Sequence, residues 1–224
     1  MPIIKTLNEF LAFFSLTQKE KMTVFRTLRS GLYLFLLIFL ILGIWMLAKY
    51  CKKTTFMEYG PIESIQLTTL ILTTFLFLLH ATKNYHFKPI SLFLASLTTF
   101  CCVRELDTFF ENLIPIISWK FAWFFPLWGT WIMFRNRKSL RKPLFIFLDS
   151  GAFNLMIIAL IIFFPLAQCI GHRSFIADAL GTSNNLIYIR RLIEESMEVM
   201  AYILIFLSSV EIWWVSSFNT KKGK

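Results

Sequence analysis

The sequence predicts an all-α, polytopic membrane protein, a six-span helical bundle with an N-terminal amphipathic surface helix. Hydrophobic residues make up 57% of the 224 residues and charged residues only 16%, whereas soluble domains carry about 25% charge. The apolar residues form long unbroken runs of the length that a helix needs to cross a bilayer. Lys and Arg are concentrated in short clusters between these runs, as in loops that set membrane topology.

Six segments are predicted to span the membrane, at about residues 31–50, 62–81, 89–113, 116–134, 144–170 and 192–215. Pro61 suits the first turn of the second span, and Pro126 predicts a kink within the fourth. A polar stretch over residues 171–191 connects the last two spans. The domain organisation expected is therefore an amphipathic cytoplasmic-side arm over 1–30, a six-helix transmembrane domain over 31–217 and a basic cytoplasmic tail over 218–224.

The first thirty residues alternate polar and apolar side chains at helical spacing. Ile3, Leu7, Phe10 and Phe14 fall largely on one side of such a helix, which favours a segment lying on the membrane surface. A simple soluble arm is the alternative.

The distribution of charge predicts that both termini are cytoplasmic. With that orientation, 15 of the 23 Lys and Arg residues fall on the cytoplasmic side, in agreement with the positive-inside rule. The net charge of +10 is spread over short clusters that act as topology determinants, so no nucleic-acid partner is expected. Nine of the 13 acidic residues fall on the opposite side, and the positive-inside rule does not explain that enrichment.

Depth along the helices brings several of these charges to one level. Arg104 lies about 22 Å along a helix from Pro89, and Glu198 lies about 22 Å from the interfacial anchor Trp213, at 1.5 Å per residue. Glu63 opens the second span at that same level. The candidate binding residues, gathered beneath the outer surface, are Glu63, Arg104, Glu105, Asp107, Arg190, Arg191, Glu194, Glu195 and Glu198.

Two interpretations of this cluster follow from its spacing. Arg190, Glu194 and Glu198 share one helix face, and Arg104 is the expected partner of Glu198 or Glu63, so the residues can form a clasp between helix ends. The acids outnumber the bases, however, and an excess of carboxylates in apolar surroundings requires bound protons, a cation or water. That imbalance indicates a binding site.

The leading functional hypothesis is binding or transport of a proton, a cation or a cationic lipid headgroup through a carboxylate-rich cavity at the outer leaflet. One alternative is a membrane-embedded enzyme using carboxylate acid–base chemistry on a lipid or lipid-linked substrate. Another is an assembly subunit whose polar cluster binds a partner helix. A transport role would use polar residues nearer the cytoplasmic side as the inner half of a pathway, namely His80, Asp149, Asn154 and Glu211.

No cofactor is predicted and no residue is assigned a catalytic role. Because no His lies at the level of the acids, any metal there would be held by oxygen ligands, which favours Mg²⁺, Ca²⁺ or Mn²⁺; metal binding is left open. The expected partners are the lipid bilayer, a cation or lipid headgroup, and a membrane-protein partner or a second copy of the chain.

Two short motifs carry a family resemblance. With Gly60-Pro61-Ile62-Glu63 opening one span and Arg104-Glu105-Leu106-Asp107 closing the next, the chain resembles uncharacterised bacterial multi-pass inner-membrane proteins. The likeness covers about residues 57–210 when the acidic segment 194–198 is included. It implies a bacterial inner-membrane location and carries no activity.

Overall fold

The computed structural model describes residues 18–51, 60–106, 119–167 and 186–221, and all regular structure in these ranges is helical. The helices are α1 (Gln18–Cys51), α2 (Pro61–Lys83), α3 (Lys88–Glu105), α4 (Phe124–Arg135), α5 (Arg137–Leu148), α6 (Gly151–Ile161) and α7 (Leu186–Lys221). Short 3-10 turns occupy Tyr85–Phe87 and Trp119–Trp123, and a π-helical turn, Ile162–Leu166, follows α6. The all-α class predicted from the sequence is confirmed for these residues.

Four segments are long and apolar enough to cross a membrane: Thr23–Leu47, Pro61–Lys83, Tyr85–Glu105 and Tyr188–Ser216. A fifth is added if Arg137–Leu148 and Gly151–Leu166, which meet at 78°, count as one broken span. Many large apolar side chains of these helices are exposed, among them Phe39 and Phe75. Exposed apolar surface of this extent indicates a membrane environment.

Helix α1 lies almost entirely within the first of two compact units, which ends at Met46. It is one continuous helix of 34 residues that begins at Gln18, so residues 18–30, predicted as part of a separate arm, run directly into the first apolar segment. No Pro interrupts residues 18–30, and a helix continues until something stops it. Only 6% of its apolar window is buried. The rest of the predicted arm, residues 1–17, lies outside the described residues.

In the second unit, Leu47–Lys224, helices α2 and α3 form an antiparallel hairpin. Asn84 ends α2 and its carbonyl accepts a hydrogen bond from Phe87 N–H (3.0 Å), which closes the turn. Helix α4 then runs antiparallel to α3, because Trp123 at its start contacts Phe100 (ring centroids 5.0 Å apart) while Gly129, farther along, lies against Ser96.

Helix α6 runs antiparallel to α7. The Ser208 hydroxyl donates to the Ala152 carbonyl at the start of α6 (2.7 Å), and the Phe163 ring, farther along, contacts Tyr202 (5.4 Å between centroids). Successive segments of this unit therefore alternate in direction, and α2 and α7 run the same way.

The predicted fifth span, 144–170, is not one straight helix. Helix α5 ends at Leu148, and the Ser150 hydroxyl caps α6 by accepting from Phe153 N–H (3.3 Å). The Glu211 carboxylate packs beside Gly151, where a Cβ atom would lie 3.1 Å from Oε1. A carboxylate and a serine cap both stabilise a helix N-terminus, so they favour a new helix start at this point.

Other boundaries also differ from the sequence prediction. Helix α3 ends at Glu105 instead of continuing to 113, and residues 107–118 lie outside the described part of the chain. Helix α7 extends beyond the predicted 192–215 at both ends. Pro126, predicted to kink the fourth span, lies in the first turn of α4, where its missing N–H removes no helical hydrogen bond.

A small-residue contact lets α4 approach α3 closely. A Cβ atom at Gly129 would lie 3.0 Å from Ser96 Cβ and 3.2 Å from the Phe93 Cα atom. The Ser96 side chain is held in place by its hydrogen bond to the Phe93 carbonyl (2.7 Å). Helices in membranes pack closely at such positions because backbone contact supplies much of their association energy.

We therefore expect Gly129→Ala to destabilise the bundle and Gly129→Leu to destabilise it more, by about 1–3 kcal/mol, as overpacking does. The control is Gly43→Ala in α1, where a Cβ meets nothing within 4 Å, so that the usual helix preference of Ala leaves stability unchanged or raised. Thermal unfolding of the purified protein in detergent measures both. Equal melting temperatures for Gly129→Leu and the wild type would show that α4 does not pack here.

Candidate functional site

An ion pair between α3 and α7 forms the centre of the candidate site. Arg104 Nη2 donates to Glu198 Oε1 at 2.6 Å, and the same nitrogen lies 3.5 Å from Glu105 Oε1. Glu198 is 5% exposed. The Arg104 guanidinium stacks on the Phe163 ring, 4.6 Å from its centre, and its side chain keeps 30% exposure. One guanidinium is thus shared by two nearly buried carboxylates.

Tyr202 supplies the second partner of Glu105. Its hydroxyl donates to Glu105 Oε1 at 2.5 Å, and its ring packs against Phe163. Tyr202 lies one helical turn after Glu198 on α7 and is fully buried. Because a buried phenol needs a hydrogen-bond acceptor, this contact fixes the orientation of the Glu105 carboxylate.

Glu195 is held by an amide from α2. Gln66 Nε2 donates to Glu195 Oε2 at 2.8 Å and lies 3.4 Å from the Glu195 carbonyl oxygen. Gln66 is 1% exposed, and its own Oε1 has no hydrogen-bond partner among the described residues. Glu63, one turn earlier on α2, is half-buried and within electrostatic range of Glu195. A neutral donor therefore satisfies the Glu195 hydrogen bond without balancing its charge.

The remaining predicted residues lie at the rim or outside the described chain. Arg190 Nε lies 3.8 Å from Glu194 Oε2, one turn apart on α7, a partly exposed pair of the kind that contributes about 0–1 kcal/mol. Arg191 is half-buried at the same end of α7. Asp107 lies outside the described residues. Lys120, a basic residue in the 3-10 turn before α4, is exposed.

The described members of the cluster carry more negative than positive charge. Five are acidic (Glu63, Glu105, Glu194, Glu195 and Glu198) and three are basic (Arg104, Arg190 and Arg191), a formal excess of two negative charges. Uncompensated charges in apolar surroundings cost far more than those in water, and such groups are neutralised by a proton, a cation or solvent. The structure thus brings the predicted acids of α2, α3 and α7 together, while their binding role stays a prediction.

Sequence reasoning missed Gln66, Tyr202 and Phe163. Two of them could have been found from their spacing in the sequence. Gln66 lies three residues after Glu63 and Tyr202 four residues after Glu198, so both share a helix face with a predicted acid. Phe163 lies in a long apolar run, and nothing in the sequence distinguishes it from its apolar neighbours. It reaches Arg104 because α6 packs antiparallel on α7, which the sequence pattern alone does not fix.

A second buried polar cluster lies at the other end of the same helices. His80 of α2 is fully buried, with Nδ1 2.7 Å from Ser91 Oγ of α3 and Nε2 2.9 Å from Ser216 Oγ of α7. Its ring packs edge-on against Phe87 and Trp213. His80 was predicted to lie near the cytoplasmic boundary, which stays a prediction; the structure shows it joining three helices at the end of α2 away from the acid cluster.

Polar residues recur every seven positions along the seam between α2 and α7. On α2 these are Gln66, Thr73 and His80, all buried, and on α7 they are Glu195, Tyr202, Ser209 and Ser216. Leu70 and Phe77, both fully buried, separate the polar positions of α2. A seven-residue repeat keeps side chains on one face of a packed helix. The seam therefore has a polar cluster at each end, and between them apolar layers alternate with polar positions such as Thr73.

Among the described residues, no group of three or more His, Cys, Asp or Glu side chains is arranged to hold a metal ion. Comparison with known proteins adds nothing further: no family model matches the chain, and no curated protein or solved structure matches it. The resemblance drawn from the two short motifs stays a prediction, and three of their residues, Glu63, Arg104 and Glu105, belong to the cluster described above.

Replacing Arg104 tests whether this cluster is electrostatically coupled. Arg104→Met leaves two nearly buried carboxylates without their shared cation, so we expect a loss of about 3 kcal/mol, the lower end for a broken buried pair, because Arg104 is partly exposed. Arg190→Met, at the rim, should cost less than about 1 kcal/mol. Thermal or denaturant unfolding in detergent measures both, and equal losses for the two variants would contradict the burial described here.

Proposed function

We propose that this protein binds protons at the carboxylate cluster formed by Glu105, Glu195 and Glu198 and transfers them across the membrane along the seam between α2 and α7. The supporting observation is the charge imbalance among the described residues at the centre of the cluster, where Arg104 pairs with both Glu105 and Glu198 and the hydrogen-bond donor to Glu195 is the neutral amide of Gln66. A proton is the smallest ligand that removes the excess charge while leaving the contacts with Arg104, Gln66 and Tyr202 in place.

The hydrogen-bond partners favour a proton over a chelated metal ion or a cationic headgroup. Glu195 accepts from Gln66 and Glu105 accepts from Tyr202, so these two carboxylates each have a neutral donor, while Glu198 accepts from Arg104. Carboxylates that chelate a cation converge on one point with their oxygens directed at it. Here Glu105 and Glu198 share the Arg104 guanidinium, and Glu195 is directed at Gln66 of α2, so the three carboxylates do not converge on a common cation position.

His80 supports transfer rather than binding alone. It is a titratable group on α2 with both ring nitrogens within hydrogen-bond distance of hydroxyls, Ser91 and Ser216. An imidazole in such a chain can accept a proton at one nitrogen and release one at the other. Since 14 residues of helix separate Gln66 from His80, the two clusters lie about 21 Å apart along α2, close to opposite sides of the hydrocarbon core.

We propose a six-span topology with both termini cytoplasmic, in a bacterial inner membrane. Five of the six crossings are the four apolar helices, Thr23–Leu47 included, and the bent segment α5–α6. The sixth is α4, which has 12 residues and is not among the membrane-length helices; its antiparallel packing on α3 supports a crossing there. The Lys- and Arg-rich ends of these helices then face the cytoplasm, as the positive-inside rule requires. The acid cluster faces outward and His80 faces inward.

Proton flux into liposomes tests the proposal. With purified protein and an imposed pH gradient, we expect a pH-sensitive dye inside the vesicles to report flux that Glu195→Gln and Glu198→Gln reduce to the level of protein-free vesicles, because an amide cannot carry the proton. The matched control is Glu20→Gln, the same chemical change at an exposed position of α1, which should retain wild-type flux.

Wild-type proton flux in both Glu195→Gln and Glu198→Gln would overturn the proposal. If wild-type protein gives no flux, turnover of extracted lipids by the intact protein would favour the enzyme alternative. Loss of a co-purifying membrane protein on Glu198→Gln, with neither flux nor turnover, would favour the assembly alternative.

His80→Gln separates transfer from binding. Glutamine retains hydrogen-bonding groups for Ser91 and Ser216 but cannot be protonated under these conditions, so we expect a folded protein whose flux is lost. Infrared difference spectroscopy across a pH step should still detect proton uptake by the carboxylates, as in the wild type. Wild-type flux in His80→Gln would show that the inner cluster is not on the path.

A further inference from the structure

A groove at the basic end of the bundle is separate from the acid cluster. Two cavities of about 230 and 450 Å³ share Asn136 and Ser139, between the turn that follows α2 and the start of α5. The smaller is lined by Tyr85, Lys88 and Pro89, and the larger by Trp131, Arg135, Arg137 and Lys138. We call the two together the basic groove.

The charge around the basic groove has one sign. Residues 83–92 and 131–139 contain five Lys and Arg and no Asp or Glu, the basic residues being Lys83, Lys88, Arg135, Arg137 and Lys138. Arg135, Arg137 and Lys138 are exposed. A concave surface with this potential attracts and concentrates anions.

Two of the guanidinium groups are held in place by aromatic rings. Arg135 Cζ lies 5.3 Å from the centre of the Trp131 ring, and Arg137 Cζ lies 4.7 Å from that of Phe134. Stacking uses the flat face of a guanidinium and leaves its N–H edge available for the paired hydrogen bonds that a phosphate accepts. The cationic groups are therefore partly pre-organised for a phosphate.

We propose that the basic groove binds the phosphate headgroup of an anionic phospholipid. Trp131 and Phe134, which support the guanidinium groups, are themselves 53% and 66% exposed, so an apolar surface continues directly from the phosphate position. Acyl chains fit that surface, whereas a free phosphate ion has nothing to place there. Basic pockets between membrane helices commonly hold anionic headgroups in this way.

Lipid binding to the purified full-length protein tests the proposal. Native mass spectrometry and thermal unfolding are compared with phosphatidylglycerol, with phosphatidylcholine of the same acyl chains, and with inorganic phosphate. We expect phosphatidylglycerol to be retained and to raise the melting temperature, while the other two have little effect. Arg135→Gln with Arg137→Gln should weaken retention of phosphatidylglycerol about tenfold.

The matched control is Arg141→Gln with Lys142→Gln, which removes the same charge from exposed positions of α5 that do not line the groove; it should retain the lipid. Equal weakening by both double variants would reduce the effect to general surface charge and overturn the proposal. Equal retention of phosphatidylglycerol and phosphatidylcholine by the wild type would also overturn the proposal. A rise in melting temperature with inorganic phosphate alone would overturn it as well. If the first double variant does not fold, Arg135→Lys with Arg137→Lys, which keeps the charge but loses the planar groups, should show intermediate retention.

Discussion

The ion pair between Arg104 and Glu198 is the contact on which the end of the bundle that holds the acid cluster depends. It joins α3 to α7 at 2.6 Å, and the guanidinium also reaches Glu105 and rests on Phe163 of the segment after α6. In apolar surroundings, removing one member of such a pair leaves a charge whose desolvation cost is no longer offset by an ion pair. Arg104 therefore links α3, α7 and the π-helical turn after α6 at this level, and Tyr202 joins the same three elements through Glu105 and Phe163.

Packing of small side chains contributes to the association of the helices alongside the polar contacts. Lipid is as apolar as the helix surface, so the hydrophobic effect does little to join helices within a membrane. Gly129 against Ser96, and Ser208 against the Ala152 carbonyl, bring backbones close enough for dispersion and hydrogen bonds to act. These contacts fix the alternating directions of the helices, and those directions bring His80 and the acid cluster to opposite ends of one seam.

The depth of a residue along a helix can be predicted from sequence. The rotation of each helix about its axis and the breaks within helices could not be predicted here. Counting residues from Pro89 and from Trp213 predicted that Arg104 and Glu198 lie at one level, because helical rise is constant. It left the partner of Arg104 open between Glu198 and Glu63, and the structure shows the contact with Glu198. The break at Ser150 was missed, since Glu211, which packs at that helix start, lies far away in sequence. The segment Thr17-Gln18-Lys19-Glu20 fits a capping box and predicts a helix that leads into the membrane, and α1 begins at Gln18. The sequence did not show that this helix continues without a break into the span predicted from residue 31. Gln66 and Tyr202 needed knowledge of which faces of α2 and α7 meet.

A double-mutant cycle on Arg104 and Glu198 tests the central claim most directly. Unfolding free energies of Arg104→Met, Glu198→Met and the double variant, measured in one detergent, give the coupling between the two side chains. The account predicts a coupling of about 1–3 kcal/mol, with the double variant more stable than the sum of the single losses implies. Additive losses, within about 0.5 kcal/mol, would mean that the two side chains do not meet and would contradict it.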